Sequence, residues 1–103
     1  MLVVTTNKIP GQEYEVIGLV MGSVVRAKHI GRDIAAGLKS LAGGEIKGYT
    51  ELLNEARTIA SERMVAAAKA QGADAVVCVR FDACSVMTNA SEIMAYGTAV
   101  KFV

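Results

Sequence analysis

The sequence predicts an α+β fold, a small two-layer domain in which a mostly antiparallel sheet carries one long helix, with one short helix before it. Three observations lead to this prediction. The chain has 103 residues, enough for a single domain (1–103) and too few for two. Its β-rich and helical segments follow the order strand, strand, short helix, long helix, strand, strand. The last two strands lie close enough in sequence to form a hairpin, which favours antiparallel or mixed pairing.

The first two predicted strands differ in length and pattern. Residues 2–6 form a short β-rich run that turn-forming residues end. Residues 13–26 form a long extended segment that is apolar on both parities, so both of its faces are predicted to be covered. One parity carries Tyr14, Val16, Val20 and Val24, and the other carries Ile17, Leu19, Met21 and Val25. Gly18 and Gly22 predict a bulge, a bend or a close backbone approach.

Two helices are predicted after these strands. Asp33 is placed to cap a short helix that Gly43-Gly44 would end. Its apolar residues at helical spacing are Ile34, Leu38 and Leu41. The longer helix has an apolar stripe at helical spacing, and Gly72 provides its end. The stripe consists of Leu52, Leu53, Ala56, Ile59, Ala60, Met64 and Ala67, and the solvated face consists of Glu51, Asn54, Glu55, Arg57, Glu62 and Lys69.

The C-terminal segment predicts two further strands. Residues 75–81 are β-branched, of strand length and mostly apolar on both parities. Residues 82–91 are less regular and are not assigned to a strand. Residues 93–103 resume as a last strand, with one parity formed by Met94, Tyr96, Thr98, Val100 and Phe102.

The apolar content exceeds what so small a core readily accommodates. Apolar residues make up 52% of the chain, whereas a domain of this size hides only about 60 to 65% of the surface that its unfolded chain exposes. A strand with two apolar faces needs a second cover besides the domain's own helix. We therefore expect a homo-oligomer, in which the surplus apolar surface lies between copies of the chain.

Charge and segment composition argue against other partners. Eleven Lys and Arg nearly balance ten Asp and Glu and form no basic patch, so nucleic acid is not an expected partner. No window approaches the roughly 20 apolar residues of a membrane-spanning helix, and residues 1–10 lack the pattern of a signal peptide. We expect a cytoplasmic protein without a membrane partner, whose Cys78 and Cys84 are free thiols.

Several blocks of residues, spread from Leu2 to Val100, carry a family resemblance. They are Gly18-Leu19-Val20-Met21-Gly22, Gly31-Arg32-Asp33-Ile34 with Gly37, Gly43-Gly44, Tyr49 with Glu51-Leu52, Ala56-Arg57 with Met64, Gly72-Ala73-Asp74-Ala75-Val76-Val77 and Tyr96-Gly97-Thr98-Ala99-Val100. Their order and spacing resemble the YbjQ-like family of small bacterial and archaeal proteins. The resemblance implies a dodecin-like subunit that assembles into a ring, commonly a homopentamer. The resemblance also implies membership of a family that is described as heavy-metal-binding, although the biochemical role of that family is not settled.

The residues themselves give limited support to a metal site. Such sites commonly combine C-x₂₋₄-C pairs with further Cys or His. Cys78 and Cys84 are separated by five residues, and His29 is the single histidine. On an unbroken strand the two thiols would share a face about 20 Å apart. A heavy or transition metal ion that several subunits of a ring bind together therefore stays possible as a cofactor. Cys78 also fits the role of a small apolar residue that fills the core.

A polar set around the predicted short helix is the strongest candidate for ligand binding. It consists of Arg32, Asp33, Glu45, Tyr49 and Glu51. Loops between packed elements often carry binding groups, and a ring would repeat this set around its axis. Structural roles stay open as well: Asp33 fits a helix cap, Arg32 an ion-pair partner between subunits, and Glu51 the first turn of the long helix, where the helix dipole favours a carboxylate.

Three functions follow from these candidates. The first is a ring-forming protein that binds a metal ion or small ligand at its subunit boundaries. The second is a structural or protein-interaction ring without a ligand. The third is an enzyme that uses polar residues of the 32–51 region. Enzyme function is the least favoured, because the chain has a single His and no evident general base, and its glycines lack the phosphate-binding patterns.

Overall fold

The computed structural model describes residues 1–27, 41–42, 45–87 and 90–103. Among these residues, four strands form one mixed sheet in the order β1-β5-β6-β2, and two short strands, β3 and β4, form a separate ladder. The elements are β1 (Leu2–Val3), β2 (Tyr14–Ala27), β3 (Leu41–Ala42), β4 (Glu45–Ile46), α1 (Lys47–Ala70), β5 (Ala75–Met87) and β6 (Ala90–Phe102). Strand β1 runs parallel to β5, and the other sheet pairs are antiparallel. The α+β prediction with a mixed sheet is confirmed.

The helix α1 forms because its apolar positions repeat every four residues. Ala56, Ala60, Met64 and Ala68 are buried against the sheet, and the predicted polar face is exposed. The helix ends at Ala70, and Gly72 follows in the turn after it, with a φ of 78° that suits a residue without a side chain. At this end the N–H of residue 73 donates to the carbonyl of Ala68 at 3.1 Å, and Gly72 N–H donates to Lys69 at 3.0 Å. These two bonds form the Schellman motif, which confirms Gly72 as the predicted end.

The strand β2 confirms the predicted long extended segment but not its parity. A register shift between Val16 and Gly18 inserts one extra residue opposite β6, and Gly18 has a φ of 155°. A bulge of this kind moves all following side chains to the other face. Tyr14 therefore packs with Val100 on the face away from α1, whereas Val20 packs with α1. The prediction that Tyr14, Val16, Val20 and Val24 share one face is wrong for this reason.

Gly22 marks the place where α1 comes closest to the sheet. A Cβ atom at this position would lie 2.3 Å from the amide nitrogen of Met64 and 2.4 Å from the carbonyl oxygen of Ala60. Contacts of this length with backbone atoms leave no room for a side chain. The predicted close backbone approach is confirmed, and it brings α1 directly onto β2.

The strands β5 and β6 form the predicted hairpin, but they extend further than predicted. Strand β5 continues to Met87 and β6 begins at Ala90, so the prediction of irregular structure is wrong for residues 82–87 and 90–91, whereas residues 88–89 lie outside the described ranges. Residues 81–87 of β5 are exposed to solvent on both faces, so their side chains do not alternate between apolar and polar. Exposed positions are free to carry polar or small residues, and a strand of this kind has no apolar pattern to reveal it.

The short predicted elements fare differently. The first strand is shorter than the predicted residues 2–6, since β1 ends at Val3, although Val4 and Thr6 still bond to β5. The predicted short helix falls on residues outside the described ranges, as does its end at Gly43-Gly44. Its last apolar residue, Leu41, lies in β3 and pairs with Ile46, so its assignment to a helix is wrong.

Two apolar clusters cover one end of the sheet from both sides. The larger lies between α1 and the sheet and includes Val20, Met64 and Val76. The smaller lies on the opposite face, where Ala75, Val77 and Val100 are covered by the N-terminal segment through Val4 and Ile9. We call this part the closed end of the sheet. Beyond it, the face opposite α1 has no cover from the described residues, and we call that surface the open face.

Candidate functional site

The open face is apolar along β2. The pairing register places Leu19, Met21 and Val25 on one face of the strand, opposite Thr98, Tyr96 and Glu92 of β6. Leu19 is 62% exposed, Met21 50% and Val25 55%, whereas Val20 and Val24, between them in sequence, are buried under α1. Three large apolar side chains thus lie in a row on a surface that the described part of the chain leaves uncovered. Soluble monomers rarely expose such a row, and its usual meaning is an interaction site.

The open face is polar along β5. Asp82 lies opposite Met94, and Cys84 lies opposite Glu92. The Sγ atom of Cys84 lies 3.8 Å from Oε1 of Glu92. A thiolate and a carboxylate at this distance can contribute two ligands to a metal ion, but a four-coordinate site needs two more. In the described ranges, no group of three or more His, Cys, Asp and Glu is arranged to hold a metal ion.

The two cysteines do not meet within one chain. Cys78 is half-buried next to the smaller apolar cluster, at a bulge where its φ is 56° and its N–H donates to the carbonyl of Thr6 at 3.0 Å. Cys84 is exposed. Both belong to β5, which continues from one to the other, so they are about 20 Å apart at 3.3 Å per residue. Cys78 fits the predicted structural role, and Cys84 is the thiol that faces a possible ligand.

The polar set predicted from the sequence is only partly within the described residues. Glu45 lies in β4, and Tyr49 and Glu51 lie in α1, where Tyr49 is half-buried and Glu51 exposed. The helix begins at Lys47 and has no acidic residue in its first turn, so the placement of Glu51 in that turn is wrong. Arg32, Asp33 and His29 lie outside the described ranges, and the grouping of the five residues stays a prediction.

Two arginines connect α1 to β2 at the margin of the sheet. Arg26 forms an ion pair with Glu55 at 3.0 Å, and its side chain is 35% exposed. Arg63 donates to the backbone carbonyl of Ser23 at 2.6 Å. An ion pair this accessible to water adds less than about 1 kcal/mol of stability.

One ionisable group at the closed end is clearly perturbed. The carboxylate of Asp74 accepts a hydrogen bond from the N–H of Phe102 at 2.9 Å and lies 3.5 Å from Nζ of Lys101. The hydrogen bond from the backbone amide of Phe102, and to a smaller extent the positive charge of Lys101, lower the pKa of Asp74 below its ordinary value. The group ties the two ends of the hairpin together and lies away from the open face.

The loop before β2 forms a concave surface apart from the open face. Residues 7–14 surround an open recess of about 820 Å³. The hydroxyl of Tyr14 donates to the carbonyl of Asn7 across the loop, and Nε2 of Gln12 donates to the carbonyl of Val103 at 3.3 Å. None of the residues predicted to bind a ligand or metal lines this recess. The recess is therefore concave, but the residues that line it do not indicate which ligand it would bind.

The polar half of the open face was not predicted. Asp82, Cys84 and Glu92 lie in or next to residues 82–91, which were not assigned to a strand, so their common face was not visible. A signal was present in their spacing: Asp82 and Cys84, and likewise Glu92 and Met94, are two residues apart, which is the period of a strand. Extending the two predicted strands to Cys84 and back to Glu92 would have grouped them.

The fold and this surface define a small α+β protein with one sheet face left open. The chain matches the model of the YbjQ_1 family, described as "Putative heavy-metal-binding", over residues 1–103. It belongs to this family, which confirms the resemblance found in the sequence. It is 61% identical over 102 residues to a UPF0145 protein of Psychromonas ingrahamii, covering 98% of this chain and 97% of that protein. It is 57% identical over 102 residues to a UPF0145 protein of Thermotoga maritima, covering 98% and 96%.

A solved structure has the same fold. It is the crystal structure of a protein of unknown function from Pediococcus pentosaceus ATCC 25745, which belongs to the DUF74 family. The TM-score is 0.72 with 14% sequence identity, and the match covers 100% of this chain and 98% of that one. At this identity the likeness concerns the fold alone. Within the described residues, no helix has the length and apolar character needed to cross a membrane.

Proposed function

We propose that this protein is a self-assembling binding protein, which holds a metal ion or small ligand at the boundaries between its subunits. The observation that supports this most directly is the exposed row of Leu19, Met21 and Val25 on the open face. Exposure of this apolar row to water costs free energy. A second copy of the chain could cover the row, and it is always present at the same concentration. The proposed assembly is a dodecin-like ring, and a homopentamer is the expected size.

The proposed metal ligands lie on the polar half of the open face. Cys84 and Glu92 supply a sulfur and an oxygen from one subunit, and a neighbouring subunit would supply the remaining ligands. A thiol selects soft or borderline ions, in agreement with the description of the family. The predicted set of Arg32, Asp33, Glu45, Tyr49 and Glu51 is the alternative location, for a small anionic or polar ligand.

Native mass spectrometry combined with elemental analysis tests this proposal. The expected result is an oligomer that carries bound metal and takes up Cd²⁺ when titrated. Cys84→Ser and Glu92→Gln should each lower Cd²⁺ affinity at least about tenfold without changing the oligomer. Cys78→Ser is the matched control, since it removes the same chemical group away from the open face.

The possible outcomes separate the alternatives. An oligomer that binds no metal or ligand would favour a structural or protein-interaction ring. Equal loss of Cd²⁺ affinity in Cys78→Ser and Cys84→Ser would place the metal elsewhere. A folded monomer at micromolar concentration would contradict the whole proposal, because both the ligand site and the apolar row depend on a neighbour.

A further inference from the structure

We propose that copies of this chain join edge to edge, with the free edge of β5 at residues 81–85 pairing with the free edge of β2 of the next copy. The proposal rests on the self-assembly proposed above and names the surfaces that meet. The contact is heterologous, because the two edges are different parts of the chain. It is distinct from packing between two open faces, which would be symmetric.

Both edges lack a strand neighbour within the described residues. Strand β1 and the residues that follow it bond to β5 from Ala75 to Val79, so within the described residues β5 beyond Val79 has β6 on one side alone. Strand β2 is the last strand on the other side of the sheet. Each edge is long and carries apolar side chains, including Phe81 and Met87 on β5. An edge of this kind is a template for another strand.

Hydrogen bonds identify backbone groups that face these edges. On β5 the N–H of Ala83 donates to the carboxylate of its neighbour Asp82 at 2.9 Å. On β2 the carbonyl of Ser23 accepts from Arg63 at 2.6 Å. The register agrees with this assignment: Met94 lies opposite both Ser23 and Asp82, and a strand residue directs its two backbone groups to one neighbour only. If Met94 bonds to Asp82, then Ser23 and Ala83 both face outward.

The position of α1 determines which edges fit together. The helix packs on β2 at Gly22 and covers the same face of β5 only up to Val79, so that Phe81, opposite the buried Ala95, is 50% exposed. A β2 strand from a second copy, placed next to β5, would bring its own α1 over Phe81. Pairing of β5 with β5 would join two bare edges and leave Phe81 in water. Pairing of β2 with β2 would leave it equally exposed.

Charge at the two edges is complementary as well. The β5 edge presents the carboxylate of Asp82, and the β2 margin presents the guanidinium of Arg63. Opposite charges favour the meeting of unlike edges and disfavour the meeting of like ones. A contact between unlike edges repeats from copy to copy, and it closes into a ring when the rotation between copies allows.

Proline substitutions test the proposal because they remove one outward N–H from an edge. Proline is tolerated on edge strands where its position donates no bond inside the sheet. Ser23→Pro blocks the β2 edge and Ala83→Pro blocks the β5 edge. Ser23→Ala and Ala83→Ser are the matched controls, since they change the side chain and keep the backbone donor. Circular dichroism and thermal unfolding establish that each variant is folded.

The decisive measurement is sedimentation of each variant alone and of the two mixed in equal amounts. The expected result is that each proline variant is a monomer, that their mixture has twice the monomer mass, and that both controls keep the parent assembly. The mixture stops at two because each variant retains one working edge. If Ser23→Pro or Ala83→Pro alone retains the parent assembly, edge pairing is wrong while self-assembly stands. A monomeric parent protein would contradict both proposals.

Hydrogen exchange on the unmodified protein gives a second test that does not depend on the variants folding. The expected result is slow exchange of the amides of Ser23 and Ala83 in the assembled protein, and an increase of at least about tenfold on dilution to the monomer. Fast exchange of either amide in the assembled state would overturn the proposal, because pairing protects both edges at once.

Discussion

The two halves of β5 show how much the cover over a strand determines its character. In the first half, Ala75, Val76 and Val77 are at most 2% exposed, because α1 covers one face and the N-terminal segment covers the other. In the second half, Phe81 is 50% and Met87 61% exposed, although the strand and its pairing with β6 continue. Backbone pairing alone therefore does not make a core. The closed end stabilises one copy of the chain, and the open part of the sheet is available to a second.

The largest expected effect is at Gly22, on the helix-covered face. Gly22→Ala places a methyl group 2.3 Å from a backbone nitrogen, so α1 has to move away from β2. We expect the free energy of unfolding to fall by about 3 kcal/mol or more, as measured by urea denaturation. Ser23→Ala, one residue further on and exposed, should change it by less than about 0.5 kcal/mol. A stable Gly22→Ala protein would show that α1 packs less closely than described.

A pair of methionines compares the two faces directly. Met64 is fully buried and Met21 is 50% exposed. Met64→Ala should lower the free energy of unfolding by about 2 to 5 kcal/mol at every protein concentration. Met21→Ala should lower it by less than about 0.5 kcal/mol in dilute solution and reduce assembly at high concentration. Equal losses in dilute solution would mean that the open face is covered within a single copy.

A smaller effect is expected at Gly72, in the turn between α1 and β5. Gly72 has a φ of 78°, which a residue with a side chain adopts at a cost. Gly72→Ala should lower the free energy of unfolding by about 1 kcal/mol and leave assembly unchanged. Gln71→Ala, at the neighbouring exposed position, is the control and should have almost no effect. A larger loss of assembly than of stability would connect this turn to the open face.

The smallest effect is the contribution of Asp74 to stability at low pH. Its pKa is lower in the folded chain than the ordinary value of 3.8, so the folded state favours the ionised form. This contribution is present above the unfolded pKa, and it is lost as the pH falls below about 4 through the folded pKa. Asp74→Asn should flatten the loss of thermal stability between pH 5 and pH 2, whereas Lys101→Gln should flatten it less. An unchanged pH profile in Asp74→Asn would mean that the Phe102 amide does not hold the carboxylate.

The sequence was sufficient for elements with a clear apolar pattern or with a special residue at one end. The helix α1 was predicted from its stripe, and its end from Gly72, since both features depend on local geometry. The long strand β2 was predicted because both of its parities are apolar. Gly22 was predicted to mark a bulge, a bend or a close backbone approach, because a glycine inside a strand often marks one of these, and the structure shows the close approach.

The remaining features depend on contacts that local patterns do not encode. Gly18 was predicted to mark a bulge, a bend or a close approach, but only the register against β6 shows that it is a bulge that changes the face of Val16 relative to Val20. The far part of β5 is exposed on both faces, so Asp82 and Cys84 follow no apolar alternation. The candidate pair of Cys84 and Glu92 comes from the hairpin register, which brings together residues eight positions apart. The ligand set of the 32–51 region stays a prediction.

The order of the strands has a consequence for how the protein is made. Strand β6 lies between β5 and β2 and pairs with both, yet it follows every other strand along the chain. During translation, β2 and α1 leave the ribosome well before the strand that joins them to β5. The nascent chain therefore carries unpaired apolar segments until β6 emerges, and a polypeptide cut short before residue 90 would lack the partner that both neighbours need. Protection by chaperones should matter more for this small chain than its length alone suggests.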